Sequence, residues 1–325
     1  MAKNVITKIE RFMQRLIVIC LLLLSSTSLR AQDVVRQTYH YATADGEELY
    51  LDRYMVDTHS SEPRPCMIFA FGGGFVRGER NHEYYKIYFD ELAKAGIVVV
   101  SIDYRLGLRQ LPAKRGVIAM IGIMENAVNI AVEDIYAATN YVIANAEEWG
   151  VDTSKIMLSG SSAGAITALQ AEWQRCNDTE RSRVLPQEFR YAGIVSCAGA
   201  IFSTKGKPKF KSAPAPMLLF HGTSDSNVPY NHAAIFGIGF YGSEYIAKQL
   251  DKLDAPYMFY SAEYETHTIA GTPLIYQCDL ILDFIDTYVI NKEGLRTKMQ
   301  VRNLKTEKRP THFSARKYLK TNYKR

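Results

Sequence analysis

The sequence predicts an α/β protein, with a mostly parallel sheet, an antiparallel N-terminal edge and helices on both faces. Three observations carry this prediction. Short apolar runs alternate with stretches of helical periodicity, turn signals separate them, and polar motifs follow the ends of the apolar runs. With 325 residues, 47% of them hydrophobic, the chain is long enough for one large core. We expect that core in a single domain over residues 32–290.

The first strands are predicted from residues 34–56, which alternate in polarity around Asp45-Gly46. This dipeptide is typical of a two-residue hairpin turn, so two antiparallel strands are expected. Residues 66–71 form a short apolar run that ends in a glycine triplet, and residues 97–102 form a second, valine-rich run. Runs of this kind indicate parallel strands that are buried on both faces.

Helices are predicted between and after these runs. Residues 83–95 have helical spacing and stop at Gly96. Residues 107–127 mix glycines and a proline with apolar residues, and we interpret them as an irregular segment. Apolar residues between 128 and 149 recur at helical spacing, which predicts a long helix before a buried strand at residues 156–158.

The C-terminal half continues the alternation. Apolar runs predict strands at residues 191–197, 217–220 and 257–260, the last of these being the expected end of the sheet. Helices are predicted around residues 245–253 and over residues 274–290, where the apolar positions share one face. Residues 205–211, KGKPKFK, are interpreted as an exposed basic loop.

The first 31 residues have the pattern of an export signal. A basic segment precedes the apolar run at residues 16–24, and the small residue Ala31 follows. The apolar run is short for a membrane span. We therefore expect cleavage after Ala31 and a periplasmic or secreted protein, with an uncleaved membrane anchor as the alternative.

The net charge of +5 is unevenly distributed along the chain. Residues 1–31 carry +4 and residues 291–325 carry +10, which leaves −9 for residues 32–290. We interpret residues 291–325 as a basic, solvated C-terminal tail. Because no nucleic-acid-binding motif accompanies these charges, no nucleic-acid partner is expected. Attraction of the tail to an anionic envelope surface is the alternative.

Four cysteines follow the predicted signal: Cys66, Cys176, Cys197 and Cys278. Although export permits disulfides, most of these residues lie in apolar runs or on an apolar helix face, so buried free thiols are expected. The spacing of cysteines and histidines matches no metal site. We expect neither a metal nor another cofactor.

Ser162 lies at the centre of the most informative motif. The sequence Gly160-Ser-Ser-Ala-Gly164 follows an apolar run and precedes an alanine-rich, helix-like segment. A serine in G-x-S-x-G at a strand-to-helix turn is typical of a nucleophile elbow, where glycines permit a tight, strained turn. Ser162 is therefore the candidate nucleophile.

Asp225 and His267 are the candidate acid and base. Both follow predicted strands, in the chain order serine, acid, histidine that this chemistry uses on an α/β fold. His267 is chosen because it lies between the expected last strand and the last helix, whereas His221 follows its strand immediately and is expected to pack close to the sheet. For the acid, less well placed alternatives are Asp254, Glu263 and Glu265.

The candidate oxyanion hole combines the backbone N–H of Ala163 with those of Gly73 and Gly74. Ala163 follows the nucleophile directly, and the glycines follow an earlier strand. Glycines let backbone N–H groups turn inward toward a substrate. The aromatic residues Phe75, Tyr84, Tyr85 and Tyr230 are candidates for a pocket wall, although ordinary packing also explains them.

In combination, these motifs resemble the α/β-hydrolase superfamily, and more closely its esterase branch with acetyl-xylan and feruloyl esterase-like proteins and hormone-sensitive-lipase-like carboxylesterases. The resemblance covers residues 34–290 and rests on FGGGF, SIDYRLG, GSSAG, HGTSD and the late His267. It implies an α/β-hydrolase fold, the roles already assigned to the candidate site residues, and a structural role for Asp103-Tyr104-Arg105. In one departure, Phe71 replaces the first histidine of the usual HGGG.

The expected function is that of an exported serine carboxylesterase acting on small acyl esters, such as acetyl or feruloyl esters of glycans, through an acyl-enzyme. The expected partner is a small or glycan-linked ester. The alternatives are a serine peptidase or amidase on the same fold, and a non-catalytic binding protein built on a hydrolase scaffold.

Overall fold

The computed structural model describes residues 33–57, 62–110 and 117–313. The predicted signal, including its cleavage site, and the last twelve residues of the predicted tail lie outside these ranges.

A main sheet organises the described chain. Its nine strands are β1 (Val34–Ala44), β2 (Glu47–Val56), β3 (Arg64–Ala70), β4 (Val98–Ile102), β5 (Val151–Ser161), β6 (Gly193–Cys197), β8 (Met217–Gly222), β11 (Tyr257–Ala262) and β12 (Arg296–Val301). They are ordered β1-β2-β4-β3-β5-β6-β8-β11-β12. β1 pairs with β2 and β2 with β4 in antiparallel fashion, while the remaining pairs are parallel. The predicted mostly parallel sheet with an antiparallel N-terminal edge is confirmed.

A small antiparallel sheet and seven α-helices complete the described architecture. The small sheet has the order β7 (Ala200–Ser203), β10 (Ile238–Gly242) and β9 (His232–Ile235). The helices are α1 (Lys86–Lys94), α2 (Val117–Ala144), α3 (Ala146–Trp149), α4 (Ala163–Cys176), α5 (Ser243–Lys252), α6 (Pro273–Tyr276) and α7 (Cys278–Phe284), and a π-helix over Ile285–Ile290 follows the last of them. None of the described helices is both long and apolar enough to cross a bilayer.

The core forms because the central strands are apolar on both faces. Every residue of β4 and β6 is buried, as expected for parallel strands covered by other elements. α2 and α4 contact each other, and Trp149, Tyr88 and Tyr136 are among the largest fully buried side chains. The four predicted free thiols are all buried and unpaired, which confirms that expectation.

The prediction of an irregular segment over residues 107–127 is wrong for its second half. α2 begins at Val117 and runs to Ala144. Gly122 favoured the irregular interpretation, yet a glycine inside a helix costs only about 1 kcal/mol relative to alanine. The apolar residues around it continue the same helical spacing. The helix also ends earlier than predicted, because α3 is a separate turn that stops at Gly150 with a positive φ of 61°.

Two sets of strands were not predicted. β7, β9 and β10 have only four or five residues each, and β10 contains two glycines, which weakens any strand pattern. β12 pairs in parallel with β11, so the expectation that the sheet ends at residues 257–260 is wrong. Residues 296–301 of the predicted solvated tail are thus the edge strand of the main sheet, and alternate residues of β12 are half-buried.

The helix predicted over residues 274–290 is interrupted. α6, α7 and the π-helix occupy this range, and Gln277 separates the first two. The predicted apolar face is nevertheless buried as expected: Leu274, Cys278, Ile281, Ile285 and Tyr288.

Parallel pairing places the predicted site residues at one edge of the sheet. In the β5–β6 pair, Ser161 lies opposite Cys197, and in the β8–β11 pair, Gly222 lies opposite Ala262. The carboxyl ends of β5, β8 and β11 therefore meet at the same edge, where ligands bind in open α/β sheets.

Candidate active site

Ser162 occupies a strained turn between β5 and α4. Its φ and ψ are 51° and −113°, a conformation that side-chain-bearing residues rarely adopt. Ser162 N–H donates to the Cys197 carbonyl (2.9 Å), and the Ser162 carbonyl accepts from Ile166 N–H (2.9 Å). These bonds tie the turn to β6 and to the first turn of α4, and so hold the hydroxyl at the end of the strand.

The flanking glycines are required by close backbone approach. A Cβ on Gly160 would lie 2.3 Å from the carbonyl carbon of Gly164, and one on Gly164 would lie 2.0 Å from the Ala70 carbonyl oxygen. Neither position has room for a side chain. The glycines of the G-x-S-x-G motif thus let β5, α4 and the end of β3 meet around Ser162.

Ser162, His267 and Asp225 form one continuous row of hydrogen bonds. Ser162 Oγ lies 2.7 Å from His267 Nε2, and His267 Nδ1 lies 2.7 Å from Asp225 Oδ2. Because a carboxylate only accepts, Nδ1 carries the proton, and in the neutral imidazole Nε2 then accepts from the Ser162 hydroxyl. The structure therefore brings together the three residues that the sequence analysis selected as nucleophile, base and acid.

Asp225 is buried but well supplied with donors. Its side chain is 0% exposed, and its Oδ1 accepts from the backbone N–H groups of Asn227 (2.8 Å) and Val228 (3.0 Å). Burial alone would raise the pKa of Asp225. The contacts with His221 and His267 outweigh burial and hold that pKa well below its usual range. Asp225 is consequently ionised throughout the neutral pH range.

His221 also belongs to this cluster, although its sequence context predicted only packing close to the sheet. It is fully buried, and its Nε2 lies 3.2 Å from the Val228 carbonyl and 3.5 Å from Asp225 Oδ2. Since both neighbours are acceptors, Nε2 carries a proton, and Nδ1 can accept from the Ser243 hydroxyl at 2.8 Å. The spacing of His221 four residues before Asp225 is the sequence signal that could have indicated this contact.

The glycine loop after β3 borders the same cavity as the hydrogen-bonded row. Gly73 and Gly74 have φ of 132° and 66°, a region that favours glycine. Gly73 carbonyl accepts from Val76 N–H (3.2 Å) and Arg77 N–H (3.3 Å), which closes the loop into a turn. The three predicted oxyanion donors, Gly73, Gly74 and Ala163, all line this cavity.

The cavity has a volume of about 710 Å³. Ser162 and His267 lie in its wall. Phe75, Tyr84 and Tyr85, which were candidates for a pocket wall, also line it. Further lining residues that the sequence did not single out are Met124, Ile166, Asn227, Val228 and Phe240. Tyr230 lies elsewhere: its hydroxyl pairs with Ser261 Oγ at 2.7 Å, and it borders a separate cavity of about 540 Å³.

Phe71 fills the place where the family pattern has a histidine. Its side chain is buried and packs against Tyr104, with 4.5 Å between ring centroids. The Tyr104 hydroxyl donates to the Phe71 carbonyl at 2.7 Å. A Cβ on Gly78 would lie 2.4 Å from the Phe71 ring, so the loop returns closely over it. Apolar packing and the tyrosine therefore support the glycine loop without an imidazole.

The segment Asp103-Tyr104-Arg105 supports the sheet edge from the other side. Arg80 pairs with Asp103 at 2.5 Å, and Arg105 pairs with the buried Asp134 at 2.8 Å. Burial raises the pKa of Asp103 and of Asp134, and the arginines counteract only part of this shift. Each ion pair joins the loop after β4 to another part of the chain, Arg80 in the loop after β3 and Asp134 in α2, as a structural role requires.

The chain after β12 contacts both loops that carry the polar row. Thr306 Oγ1 donates to Glu265 Oε1 at 2.7 Å, two residues before His267. Ser224 Oγ donates to the Arg309 carbonyl at 3.3 Å, one residue before Asp225. Glu265 carbonyl also accepts from Ser224 N–H at 3.0 Å, so the two loops are joined to each other as well. Within the described ranges, no group of three or more histidine, cysteine or acidic side chains is arranged to hold a metal ion.

The sheet order, the strand–Ser162–helix turn and the row of polar residues at the sheet edge are those of an α/β-hydrolase fold. Solved structures agree with this fold. The apo form of Thermogutta terrifontis esterase 2 superposes with a TM-score of 0.57 at 24% identity, covering 77% of this chain and 94% of that one. Residues 51–201 match the model of the BD-FAE family, a family of α/β-hydrolase esterases.

Curated relatives align over a smaller share of this chain than the solved structures do. Fumonisin B1 esterase of Sphingopyxis macrogoltabida is 34% identical over 119 residues, which are 36% of this chain and 21% of that protein. Gut esterase 1 of Caenorhabditis elegans is 26% identical over 182 residues, which are 56% of this chain and 31% of that protein. The aligned segment thus spans less than a third of these relatives.

Proposed function

We propose that this protein is an exported serine carboxylesterase that hydrolyses small acyl esters through a Ser-His-Asp triad. The observation that carries the proposal is the continuous row of hydrogen bonds from Ser162 through His267 to Asp225, at the wall of a cavity. The match to an esterase family and the esterases among the relatives support ester bonds as the target.

In the first half of the reaction, Ser162 Oγ attacks the ester carbonyl carbon while His267 Nε2 takes the hydroxyl proton. Asp225 keeps the imidazole in the tautomer that this step needs and stabilises the imidazolium that forms. When the tetrahedral intermediate collapses, the carbon–oxygen bond to the alcohol breaks. The imidazolium then protonates the departing alkoxide, which leaves an acyl group on Ser162.

In the second half, a water molecule attacks the acyl carbon and His267 takes its proton. The second tetrahedral intermediate expels Ser162, which regains its proton from the imidazolium, and the carboxylic acid leaves. Negative charge develops on the carbonyl oxygen in both halves. The N–H groups of Ala163, Gly73 and Gly74 are the proposed donors to it, and a single donor of this type contributes about 2.7–4 kcal/mol to lowering the barrier.

The proposed substrates are small acyl esters, including acetyl or feruloyl esters of glycans. Aromatic and apolar side chains such as Phe75, Tyr85 and Phe240 line the cavity beside Ser162. Such walls suit an uncharged acyl group or a planar aromatic one. Export rests on the sequence of residues 1–31, and recovery of processed protein outside the cytoplasm, with a new N-terminus near residue 32, would test it.

The function is tested with the chain lacking residues 1–31 and with its Ser162→Ala variant. The substrates are p-nitrophenyl acetate, butyrate and octanoate, methyl ferulate and acetylated xylan. We expect hydrolysis of at least one short or aromatic ester, and a loss of about 10³-fold or more in the variant. A fluorophosphonate probe should label Ser162, and a Ser161→Ala variant should retain that label.

Equal hydrolysis by wild type and Ser162→Ala would show that Ser162 is not the nucleophile. Turnover of acyl amides at rates above those of the matched esters would instead favour the amidase alternative. A protein that neither hydrolyses any substrate nor reacts with the probe would be a binding protein on a hydrolase scaffold.

A further inference from the structure

A fully exposed phenylalanine lies at the tip of the β9–β10 hairpin. Phe236 is 99% exposed and its neighbour Ile235 is 71% exposed. The two central turn residues, Phe236 and Gly237, have φ of 51° and 82°, as in a two-residue hairpin loop of type I′. Asparagine, aspartate or glycine suits the first position, and a bulky side chain there is strained. The fold itself gives no reason for a phenylalanine at this point.

The basic loop singled out in the sequence lies directly beside this tip. A Cβ on Gly237 would be 2.8 Å from Gly206 Cα and 3.6 Å from Lys207 N. Four lysines of the loop are exposed: Lys205, Lys207, Lys209 and Lys211. None of the four forms an ion pair with a carboxylate in the part of the chain that the structure describes. Their positive charges are therefore available to a partner.

Hydrogen bonds fix the loop and the hairpin in place. Ser203 Oγ donates to the Gly206 carbonyl (2.6 Å), and the Tyr241 hydroxyl donates to the Gly237 carbonyl (2.9 Å). Farther along the loop, the Tyr245 hydroxyl donates to the Pro208 carbonyl (2.9 Å). We call this surface the basic–aromatic edge and define it by Ile235, Phe236, Lys205 and Lys207, the two lysines that flank Gly206. It is presented by a bonded framework of β7, β10 and α5.

We propose that the basic–aromatic edge docks this protein on an anionic phospholipid bilayer. The exposed apolar side chains at the hairpin tip suit insertion among the acyl chains of such a surface. The lysines beside them suit contact with its phosphate groups. Charge complementarity favours an anionic surface, because the edge carries two exposed lysines without carboxylate partners, and Lys209 and Lys211 follow in the same loop, whereas residues 32–290 as a whole are net −9. The other strongly basic segment is residues 291–325, with a net charge of +10, and the test separates its contribution from that of this edge.

Docking at this edge would bring the membrane close to the candidate active site. Phe240 lines the 710 Å³ cavity and belongs to β10, the strand that begins directly after the turn. Since a strand rises about 3.4 Å per residue, Phe240 lies within about 14 Å of Phe236 along the chain. The Phe240 ring also packs on Phe202 of β7, at 4.8 Å between centroids. Binding is nevertheless a property separate from hydrolysis and is tested without it.

The test uses the chain from residue 32 onward, because the described residues from Val34 onward form one compact unit. It carries Ser162→Ala, so that lipid hydrolysis does not interfere. Co-sedimentation is measured with vesicles of phosphatidylglycerol and phosphatidylcholine, and with phosphatidylcholine alone. We expect salt-sensitive binding to the anionic vesicles that is at least tenfold stronger than to the neutral ones.

Two variants then separate the contributions. Phe236→Asn removes the ring and places a residue suited to the turn, so the hairpin is retained; it should weaken binding at least tenfold. Lys205→Gln/Lys207→Gln should weaken binding and reduce its salt dependence. Leu304→Asn, which changes an 88% exposed apolar residue elsewhere, is the matched control and should bind as the parent does. In a Phe236→Trp variant, tryptophan emission should shift to shorter wavelength on anionic vesicles only.

Three results would overturn the proposal. Binding that survives Phe236→Asn but is lost on removal of residues 314–325 would assign it to the C-terminal tail. Binding to a soluble polyanion such as polygalacturonate that needs the lysines but not Phe236 would indicate a polysaccharide partner. A dimer that Phe236→Asn converts to a monomer would make this edge an interface between copies of the chain.

Discussion

His221 Nε2 lies 3.5 Å from Asp225 Oδ2, the same carboxylate oxygen that contacts His267 Nδ1 at 2.7 Å. One carboxylate oxygen therefore faces two imidazoles, a half-buried one on the cavity side and a fully buried one behind it. The buried His221 is placed to hold Asp225 in the orientation that His267 needs. This relationship, and the others around the site, lead to five expected outcomes.

Replacing His221 tests its role as a positioning residue. His221→Ala removes the N–H group that bonds to the Val228 carbonyl at 3.2 Å and lies 3.5 Å from the buried Asp225 carboxylate, so Asp225 gains freedom and kcat should fall by on the order of tenfold. His221→Gln retains an N–H donor and should recover most of kcat, while KM stays near the wild-type value in both. If both variants lose activity equally through loss of folded protein, monitored by circular dichroism, His221 has only a packing role.

The lowered pKa of Asp225 predicts how stability depends on pH. A carboxyl whose pKa is depressed in the folded state stabilises the fold above its unfolded pKa of about 4, and this stabilisation is lost as the pH falls through the folded value. Wild type should therefore be more stable than Asp225→Asn near neutral pH, and the difference in unfolding free energy should narrow toward about pH 2. Urea unfolding at several pH values measures it, with the exposed Asp57→Asn as control. A difference that widens toward acid would contradict the assignment.

The two central glycines of the loop after β3 should respond differently to alanine. A Cβ on Gly73 would lie 1.8 Å from the Arg77 carbonyl oxygen, so Gly73→Ala must move the loop and should lower kcat/KM by about 100-fold or more. A Cβ on Gly74 meets no atom within 4 Å. Gly74→Ala should cost about 1–2 kcal/mol of stability for its positive φ and retain most activity. Equal losses of kcat/KM in the two variants would show that the close contact between residue 73 and the Arg77 carbonyl does not decide the effect.

The hydrogen bond between Thr306 and Glu265 should matter for turnover more than for folding. Thr306→Val removes the donor beside the His267 loop and should lower kcat severalfold, with KM little changed, because the loop gains freedom. Thr306→Ser keeps the hydroxyl and should restore kcat. Thr43→Val is a matched control, since Thr43 also donates to a glutamate, Glu48 at 3.0 Å, on the far edge of the sheet. Wild-type kcat in Thr306→Val would assign the contact to the surface alone.

The buried cysteines should be inert in the folded protein. Burial raises the pKa of Cys278 to about 11 and that of Cys66 farther above its usual value. Ellman's reagent should therefore react with none of the four thiols of the chain from residue 32 in minutes at neutral pH, and with all four after unfolding. Fast reaction of one thiol in the native protein would show local opening of its element.

Most of the site was accessible from the sequence because its signals are local. The glycines around Ser162 are adjacent to it in the chain, and they are needed where strand and helix come within 2.0–2.3 Å of a hypothetical Cβ. Asp225 and His267 follow apolar runs, and parallel pairing brings the ends of such runs to one edge. Chain order and strand ends therefore selected residues that the structure joins by hydrogen bonds. The hairpin at Asp45-Gly46 is a local signal of the same kind, and it was confirmed.

The sequence-based predictions failed for strands and helix segments whose structure depends on contacts with distant parts of the chain. β7, β9 and β10 are short, and only their pairing with one another makes them strands. Residues 296–301 were predicted to belong to a polar tail because an edge strand carries many exposed polar residues. The strand that pairs with them, β11, lies more than thirty residues earlier in the chain. The second half of residues 107–127 is helical although glycine favours irregular structure, since helix packing against the core outweighs a cost of about 1 kcal/mol.

By itself, the sequence determined the fold class, most strands of the main sheet and the choice of the three residues of the polar row, because hydrophobic period and turn chemistry act over a few neighbours. Only the tertiary structure placed His221 behind Asp225, joined Thr306 to the His267 loop, and set Phe236 beside the lysines of residues 205–211. Each of these is a contact between segments whose separation in the chain carries no information about their distance in space. Such contacts depend on how the whole sheet and its loops pack.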